Sequence, residues 1–321
     1  MNKILLPSGY KAVNFGNDIK YNIAGLGRCT RLILQLLDIV EAKFDCTLPI
    51  KYIYGSPSIL WNGGRITLKK YKEDYILHRY ALEIDLLKSR GIIPLFTFSN
   101  VCISDVELED KTCNEFLKLI AKTNSEIIVT NEKLKEYIKF KYPNISLHAS
   151  VIKTAFEDNR STSYYKNLSN EFSNYVVHPE DNFNISLLQQ IPKLNAEIML
   201  NERCKYTCKI RDKHYLSISK EQKNRMYKNN VYNHFLDACE YIPEYKQANS
   251  PFRNTSLTLS EVEVIYNLGY RQFKLQGRTD GLYVYFFDLM RYMLEPNIVF
   301  PHLYPIFSFY IDKFIKEYYS E

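Results

Sequence analysis

Gly91-Ile-Ile-Pro-Leu-Phe-Thr-Phe-Ser-Asn100 decides the fold class. The apolar run Ile92 to Phe98 is too short for an ordinary buried helix and reads as a strand covered on both faces. The stretch before it, 74–90, is a helix with Leu77, Ala81, Ile84 and Leu87 on one face, and Gly91 is its left-handed cap. The same alternation continues downstream. A helix near Lys111 to Lys122 precedes the strand Glu126-Ile-Ile-Val129, and Asn131 caps a helix whose Leu134, Tyr137 and Ile138 share a face. Strands follow at Ser146–Ala149, Tyr175–Val177 and Glu197–Leu200, with a helical stretch near Ser186 to Gln190 between the last two. Ser260-Glu-Val-Glu263 reads as a capping box opening a helix that stops at Gly269 before the strand Gln272–Leu275. A helix at about 282–293 closes the series.

With Tyr52-Ile-Tyr54 there are seven strands, and eight if Lys3 to Leu6 contributes. Strand and helix units in alternation imply an α/β fold with a parallel sheet, and the count suits a TIM-like (β/α)8 barrel, fully or imperfectly closed. A doubly wound open sheet is the alternative. No linker and no fixed-period repeat divides 1–321, which reads as one barrel domain with a polar insertion, rich in Lys and Asn, over 214–252. Gly25-Leu-Gly27 is no dinucleotide fingerprint, because neither a preceding strand nor a third Gly is recognised.

The hydrophobic share of 46% against 24% charged excludes a disordered or fibrous chain. A net charge of +6, without blocks of like charge, is too small to argue nucleic acid by itself. No export signal and no membrane span is recognised, so the expected location is the cytoplasm. There the seven Cys are expected as free thiols or metal ligands, not disulfides.

Chemistry is expected where strands end at the C-terminal face of the barrel. The residues there include Gly55-Ser56, Ser99-Asn100, Thr130-Asn131, Ser150, His178-Pro-Glu180, Asn201-Glu-Arg-Cys204 and Gln276-Gly-Arg278. Of these, Asn100, Ser150 and Asn201 are candidates for substrate binding. Cys204 and Cys208 are four apart directly after a strand, so a helical turn would put them on one face, with Cys239 later in the insertion. Thiolates suit zinc or iron–sulfur. Cys204, Cys208, Cys239 and His214 would make a closed zinc site, and three Cys alone would leave an open iron. Lys274 and Arg278 are candidates for holding an anion, or else they form an ion pair with a barrel carboxylate such as Glu197 or Glu202. His214 and Glu202 are candidate acid/base groups.

The segment Leu268-Gly-Tyr-Arg-Gln-Phe-Lys-Leu-Gln-Gly-Arg278 resembles the C-terminal signature of the collagenase-like (U-class) peptidase superfamily. Tyr142-Pro-Asn-Ile-Ser-Leu-His-Ala-Ser150 and Asn201-Glu-Arg-Cys-Lys-Tyr-Thr-Cys208 fit the family's order of motifs, and the likeness spans about 50–295. It implies a TIM-like barrel with Cys204, Cys208 and Cys239 as ligands of a metal centre, and with Lys274 and Arg278 as the Lys and Arg of the terminal motif. Relatives in that superfamily include oxygen-independent ubiquinone hydroxylation factors with a four-iron four-sulfur cluster and tRNA or rRNA hydroxylation proteins. The chain departs from the pattern in lacking the upstream Cys pair and in carrying Gln276 where the family has Glu.

Three functions follow as expectations. One is an iron–sulfur-dependent oxidoreductase, most simply an oxygen-independent hydroxylase, acting on a small anionic or nucleic-acid-linked substrate. A second is a peptidase-like hydrolase using zinc-bound water or Ser150. The third is a non-catalytic, zinc-stapled barrel acting beside a paralogous partner subunit. The basic stretch 205–228, with Tyr206, Tyr215 and Tyr227, offers a weaker RNA-binding reading.

Overall fold

Each apolar run expected as a strand pairs in parallel with its neighbour in sequence, and the last pairs with the first. The computed structural model describes residues 3–8, 11–16, 18–55, 57–63, 73–228, 254–277 and 281–320. Its strands are β1 (Lys20–Ala24), β2 (Ile50–Gly55), β3 (Ile93–Phe98), β4 (Glu126–Val129), β5 (Leu147–Ala149), β6 (Asn174–Val176), β7 (Ala196–Met199) and β8 (Gln272–Leu275). They form a closed barrel in sequence order, sealed by Tyr21 against Phe273 and Asn22 against Lys274. The sheet is therefore neither open nor imperfectly closed.

The helices that wrap it are α1 (Thr30–Phe44), α2 (Glu73–Lys88), α3 (Asp105–Leu108), α4 (Lys111–Lys122), α5 (Glu132–Lys141), α6 (Val151–Ala155), α7 (Thr162–Glu171), α8 (Ile185–Gln190), α9 (Arg211–Lys228), α10 (Leu259–Asn267), α11 (Leu282–Met293) and α12 (Val299–Ser320). Outward strand residues such as Tyr21, Ile53, Phe96, Ile127, Tyr175, Ile198 and Phe273 bury against them in one continuous core. Each such side chain contributes about 1.5–3 kcal/mol on burial. The local signals behave as their chemistry requires. Gly91 ends the α2 unit at φ 69°, and Asn131 accepts the Leu134 N–H at the start of α5.

Two expectations are corrected. The eighth strand is Lys20–Ala24, and Lys3–Leu6 is in no strand. Asn22 breaks the apolar pattern of β1 because its side chain faces the barrel interior, where it donates to Glu197 of β7. Gly25-Leu-Gly27 thus does follow a strand. The second correction moves the capping box two residues earlier: Thr258 caps α10, and the Glu261 carboxylate returns to the Thr258 N–H.

α9 departs from the regular alternation. After β7 the chain does not run back along the barrel wall. It enters a turn at 203–210 and then α9, and it reappears at 254, where Lys205 bridges Asn254 and the Thr255 N–H donates to the Cys204 carbonyl at 3.0 Å. Only then does α10 lead into β8. The stretch expected as an insertion therefore begins with a helix, and 229–253 lies outside the described residues.

Candidate functional site at the C-terminal mouth

The barrel interior carries charge. Glu197 on β7 is 1% exposed. Its Oε2 accepts from Lys274 Nζ at 3.0 Å, and its Oε1 accepts from Asn22 Nδ2 at 2.9 Å and Asn174 Nδ2 at 3.2 Å. His148 on β5 shares a 2.5 Å hydrogen bond with Glu126 through Nε2, while its Nδ1 stands 3.9 Å from Glu197, beyond hydrogen-bonding reach. Burial works to raise the Glu197 pKa, but Lys274 and His148 outweigh it and hold the carboxyl well below its usual range. For His148, burial favours the neutral ring, and the two carboxylates reverse that and raise its pKa. This set joins six strands, β1 and β4 to β8, across the barrel interior. Glu126 and Gln272 begin their strands, so the set lies towards the N-terminal half of the barrel, away from the mouth. Lys274 belongs to it, and the ion pair with Glu197 is the structural alternative stated for this lysine.

The thiols lie at the other end. Cys204 and Cys208 are brought together, though not by a helix: α9 begins only at Arg211. A turn does it instead, with Thr207 at φ 60°, a left-handed conformation uncommon for a β-branched residue. Glu202 Oε1 accepts the Cys204 N–H and Glu180 Oε1 accepts the Cys208 N–H, both at 3.1 Å, so two carboxylates hold the two thiol-bearing backbones. The two thiols interact directly. That interaction pushes Cys204 up, as burial also does, and holds Cys208 below the usual thiol range against the opposing effect of burial. The Ile210 backbone N–H and Arg211 also favour the Cys208 thiolate.

Arg211 is 4% exposed, and its Nη2 donates to Glu180 Oε1 at 3.2 Å and to the Lys205 carbonyl at 3.3 Å. Its Nε and Nη1 have no hydrogen-bond partner among the described residues. His178, after β6, is pushed down to about 2 by burial and by Arg211 and Arg160, so it is a neutral imidazole at the mouth. Asp181 binds Arg160 Nε at 2.9 Å and the Tyr165 hydroxyl at 2.5 Å. Three further buried oxygens after the strands lack a hydrogen-bond partner among the described residues: Ser99 Oγ after β3, Thr130 Oγ1 after β4 and Asn182 Oδ1 after β6.

The remaining sequence candidates are placed as follows. Asn100 is fully buried, donating to the Leu60, Asn62 and Ser219 carbonyls and accepting the Cys102 N–H. The Ser150 hydroxyl caps α6 by accepting the Ile152 N–H. Asn201 exchanges hydrogen bonds with the Gln276 backbone and donates to Asp288. Asn100 and Asn201 join mouth loops to one another, whereas Ser150 serves its own helix. Glu202 and the Cys pair come together, and His214 lies in the first turn of α9. Cys204, Cys208 and His214 form no three-ligand group, nor does any other set of His, Cys, Asp or Glu among the described residues. Cys239, Arg278 and Ser56 lie outside the described residues. Arg211 was given no role from sequence, and the Lys223–Glu107 pair was not singled out. Arg211 stands three residues beyond Cys208 in a run of many basic residues, so nothing marked it as the buried one.

No family model matches the chain, and no curated protein sequence matches it. Among solved structures the chain is similar to the U32 peptidase Mk0906, with 11% identity over 85% of this chain and 96% of that one at a TM-score of 0.49. It is also similar to a β-glycosidase from Pyrococcus horikoshii, with 17% identity over 65% of this chain and 45% of that one at a TM-score of 0.21. Likeness at these values carries no argument about chemistry. The (β/α)8 barrel is established by the closed sheet of this chain itself.

Proposed function

We propose that the chain is a thiolate–metal enzyme with its site at the C-terminal mouth, where Cys204 and Cys208, with Cys239, hold an iron–sulfur cluster. The observation that carries this reading is the adjacency of the two thiols in a strained turn beside a buried guanidinium. Soft donors side by side fit iron–sulfur or zinc, and the two described thiols supply part of a ligand set that Cys239 would extend. An open iron would supply electron transfer or a coordination position for substrate. The chain's own residues would do the rest. Glu202 and Glu180 fix the thiol-bearing backbones, Arg211 offsets the negative charge of the thiolates, and neutral His178, whose Nδ1 accepts the Glu180 N–H, offers its Nε2–H as a donor. The reaction class that the sequence resemblance implies is oxygen-independent hydroxylation. Lys274 is given no part in it, since its ammonium is neutralised by Glu197 inside the barrel.

The test is a visible spectrum with iron, acid-labile sulfide and zinc analysis on anaerobically purified protein. Brown protein with stoichiometric iron and sulfide, lost in Cys204→Ser, is expected. Colourless protein with one zinc would replace the redox reading by a hydrolytic or structural zinc site. Protein without either metal would remove the thiolate–metal reading.

A further inference from the structure

We infer that α9 is a latched lid over the barrel mouth, and that the site beneath it takes a small molecule admitted when α9 lifts, not a polymer laid on an open face. This rests on the mouth being the site and on none of the thiol chemistry.

The topology places α9 across the opening. In a closed sheet ordered β1 to β8, β3 and β7 are four strands apart and so stand on opposite sides. α9 leaves the β7 side, where Arg211 is bound to Glu180 in the loop after β6. Eight residues later Ser219 is on the β3 side. Its carbonyl accepts from Asn100 Nδ2 at 3.3 Å, and its Oγ accepts the Val101 N–H at 3.3 Å. Eight helical residues rise about 12 Å, enough to carry the helix over the strand ends between these anchors. Beyond Ser219, Lys223 pairs with Glu107 of α3 and donates to the Cys102 carbonyl at 3.2 Å. The helix is thus tied at both ends to opposite rims.

Its two faces are distinct. Arg211, Ile218, Ser219 and Gln222 are buried and recur at the spacing of one helical face, while Lys213, Lys220 and Asn224 are exposed on the other. The buried face is mostly polar, unlike a helix docked on a hydrophobic core. The loops that follow β3, β4 and β6 hold Ser99 Oγ, Thr130 Oγ1 and Asn182 Oδ1 buried without a hydrogen-bond partner among the described residues. A permanent roof over unsatisfied polar groups is costly. A lid that closes over a polar molecule lets those groups be satisfied by it. The ties are a few polar contacts and ion pairs, the kind that open locally without global unfolding.

The experiment needs no ligand. Ser99 is 1% exposed and its hydroxyl makes no hydrogen bond, so Ser99→Cys is a near-isosteric reporter under α9. Its alkylation by iodoacetamide is followed by peptide mass mapping, which separates it from the native thiols, and amide hydrogen exchange of α9 is measured in parallel. With the latch intact, slow labelling is expected. In Lys223→Met, labelling and exchange of the 214–222 amides should both accelerate about tenfold, the factor for losing roughly one charge-assisted bond, while β-strand amides do not change. Glu107→Gln releases the same latch from the other side, keeps a side chain able to cap α3, and stands in if Lys223→Met does not fold. A polymer-bearing maleimide should lag far behind iodoacetamide at the reporter. Labelling of the latched protein at the rate of the urea-unfolded chain would mean an open mouth. Labelling and α9 exchange that occur only with global unfolding, unmoved by either variant, would mean a fixed roof. Equal access for the bulky reagent would overturn the small-molecule reading. A failed metal analysis leaves the lid standing, and a failed labelling experiment leaves the thiol pair standing.

Discussion

Removing the ammonium of Lys274 isolates the role of the barrel's inner charges. In Lys274→Met the Glu197 carboxylate stays 1% exposed, with Asn22 and Asn174 still donating to it but its only close cationic partner from β8 gone. Breaking a buried pair on one side costs about 3–5 kcal/mol, because the remaining charge is stranded. With an unfolding entropy of ~2.1 cal/mol/K per residue, a chain of 321 residues should lose about 4–7 °C of melting temperature. The assay is thermal unfolding followed by circular dichroism at neutral pH. The double variant Lys274→Met/Glu197→Leu removes the stranded charge as well and should recover at least half of the loss. A melting temperature within about 1 °C of the parent for Lys274→Met would refute the reasoning, and lost activity with unchanged stability would return Lys274 to a catalytic role.

Two further outcomes follow from the same geometry. Because Glu126 and Glu197 raise the His148 pKa in the fold, protonated His148 stabilises the barrel fully below its unfolded value of about 6.5. That stability is lost as pH rises through the folded value. The stability advantage of the parent over His148→Gln, measured by urea unfolding, should therefore be larger at about pH 5.5 than at about pH 9, and an advantage that grows with pH would contradict the assignment. Gly55→Ala at the end of β2 would place a Cβ 2.0 Å from the Leu26 carbonyl oxygen, a backbone atom that cannot swing away. A loss of about 1–3 kcal/mol is expected from such overpacking, and unchanged stability in the same assay would show that the β1–α1 turn yields freely.

The fold was legible wherever strands were apolar on both faces. β3, with Pro94-Leu-Phe-Thr-Phe98 packed on helices and barrel alike, has no polar interruption until Thr97. β1 was not legible, because Asn22 serves an inward charge on β7 that is 175 residues away. No local pattern encodes that partnership. The site divides in the same way. The spacing of Cys204 and Cys208 was visible, but the means of joining them was not: the strained Thr207 turn and the anchoring carboxylates Glu180 and Glu202 come from three separate loop positions. Lys274 looked like a mouth residue because it precedes Gly277 and Arg278. Strand register puts it beside Met199 and Asn22, inside the barrel, where Glu197 can reach it. The lid was hidden because its buried face is polar. Arg211, Ser219 and Gln222 read as solvated surface until they are seen buried, with Arg211 bound to Glu180 and Ser219 to the loop after β3 on the opposite rim.

The most direct measurement on the thiol site is native mass spectrometry of the anaerobically prepared protein beside Cys204→Ser and Cys208→Ser. The expected result is a mass increment equal to one iron–sulfur cluster on the parent chain, absent from both variants while their folded charge-state distributions match the parent. A parent chain at its bare polypeptide mass, or an increment retained by both serine variants, would contradict a metal centre held by Cys204 and Cys208.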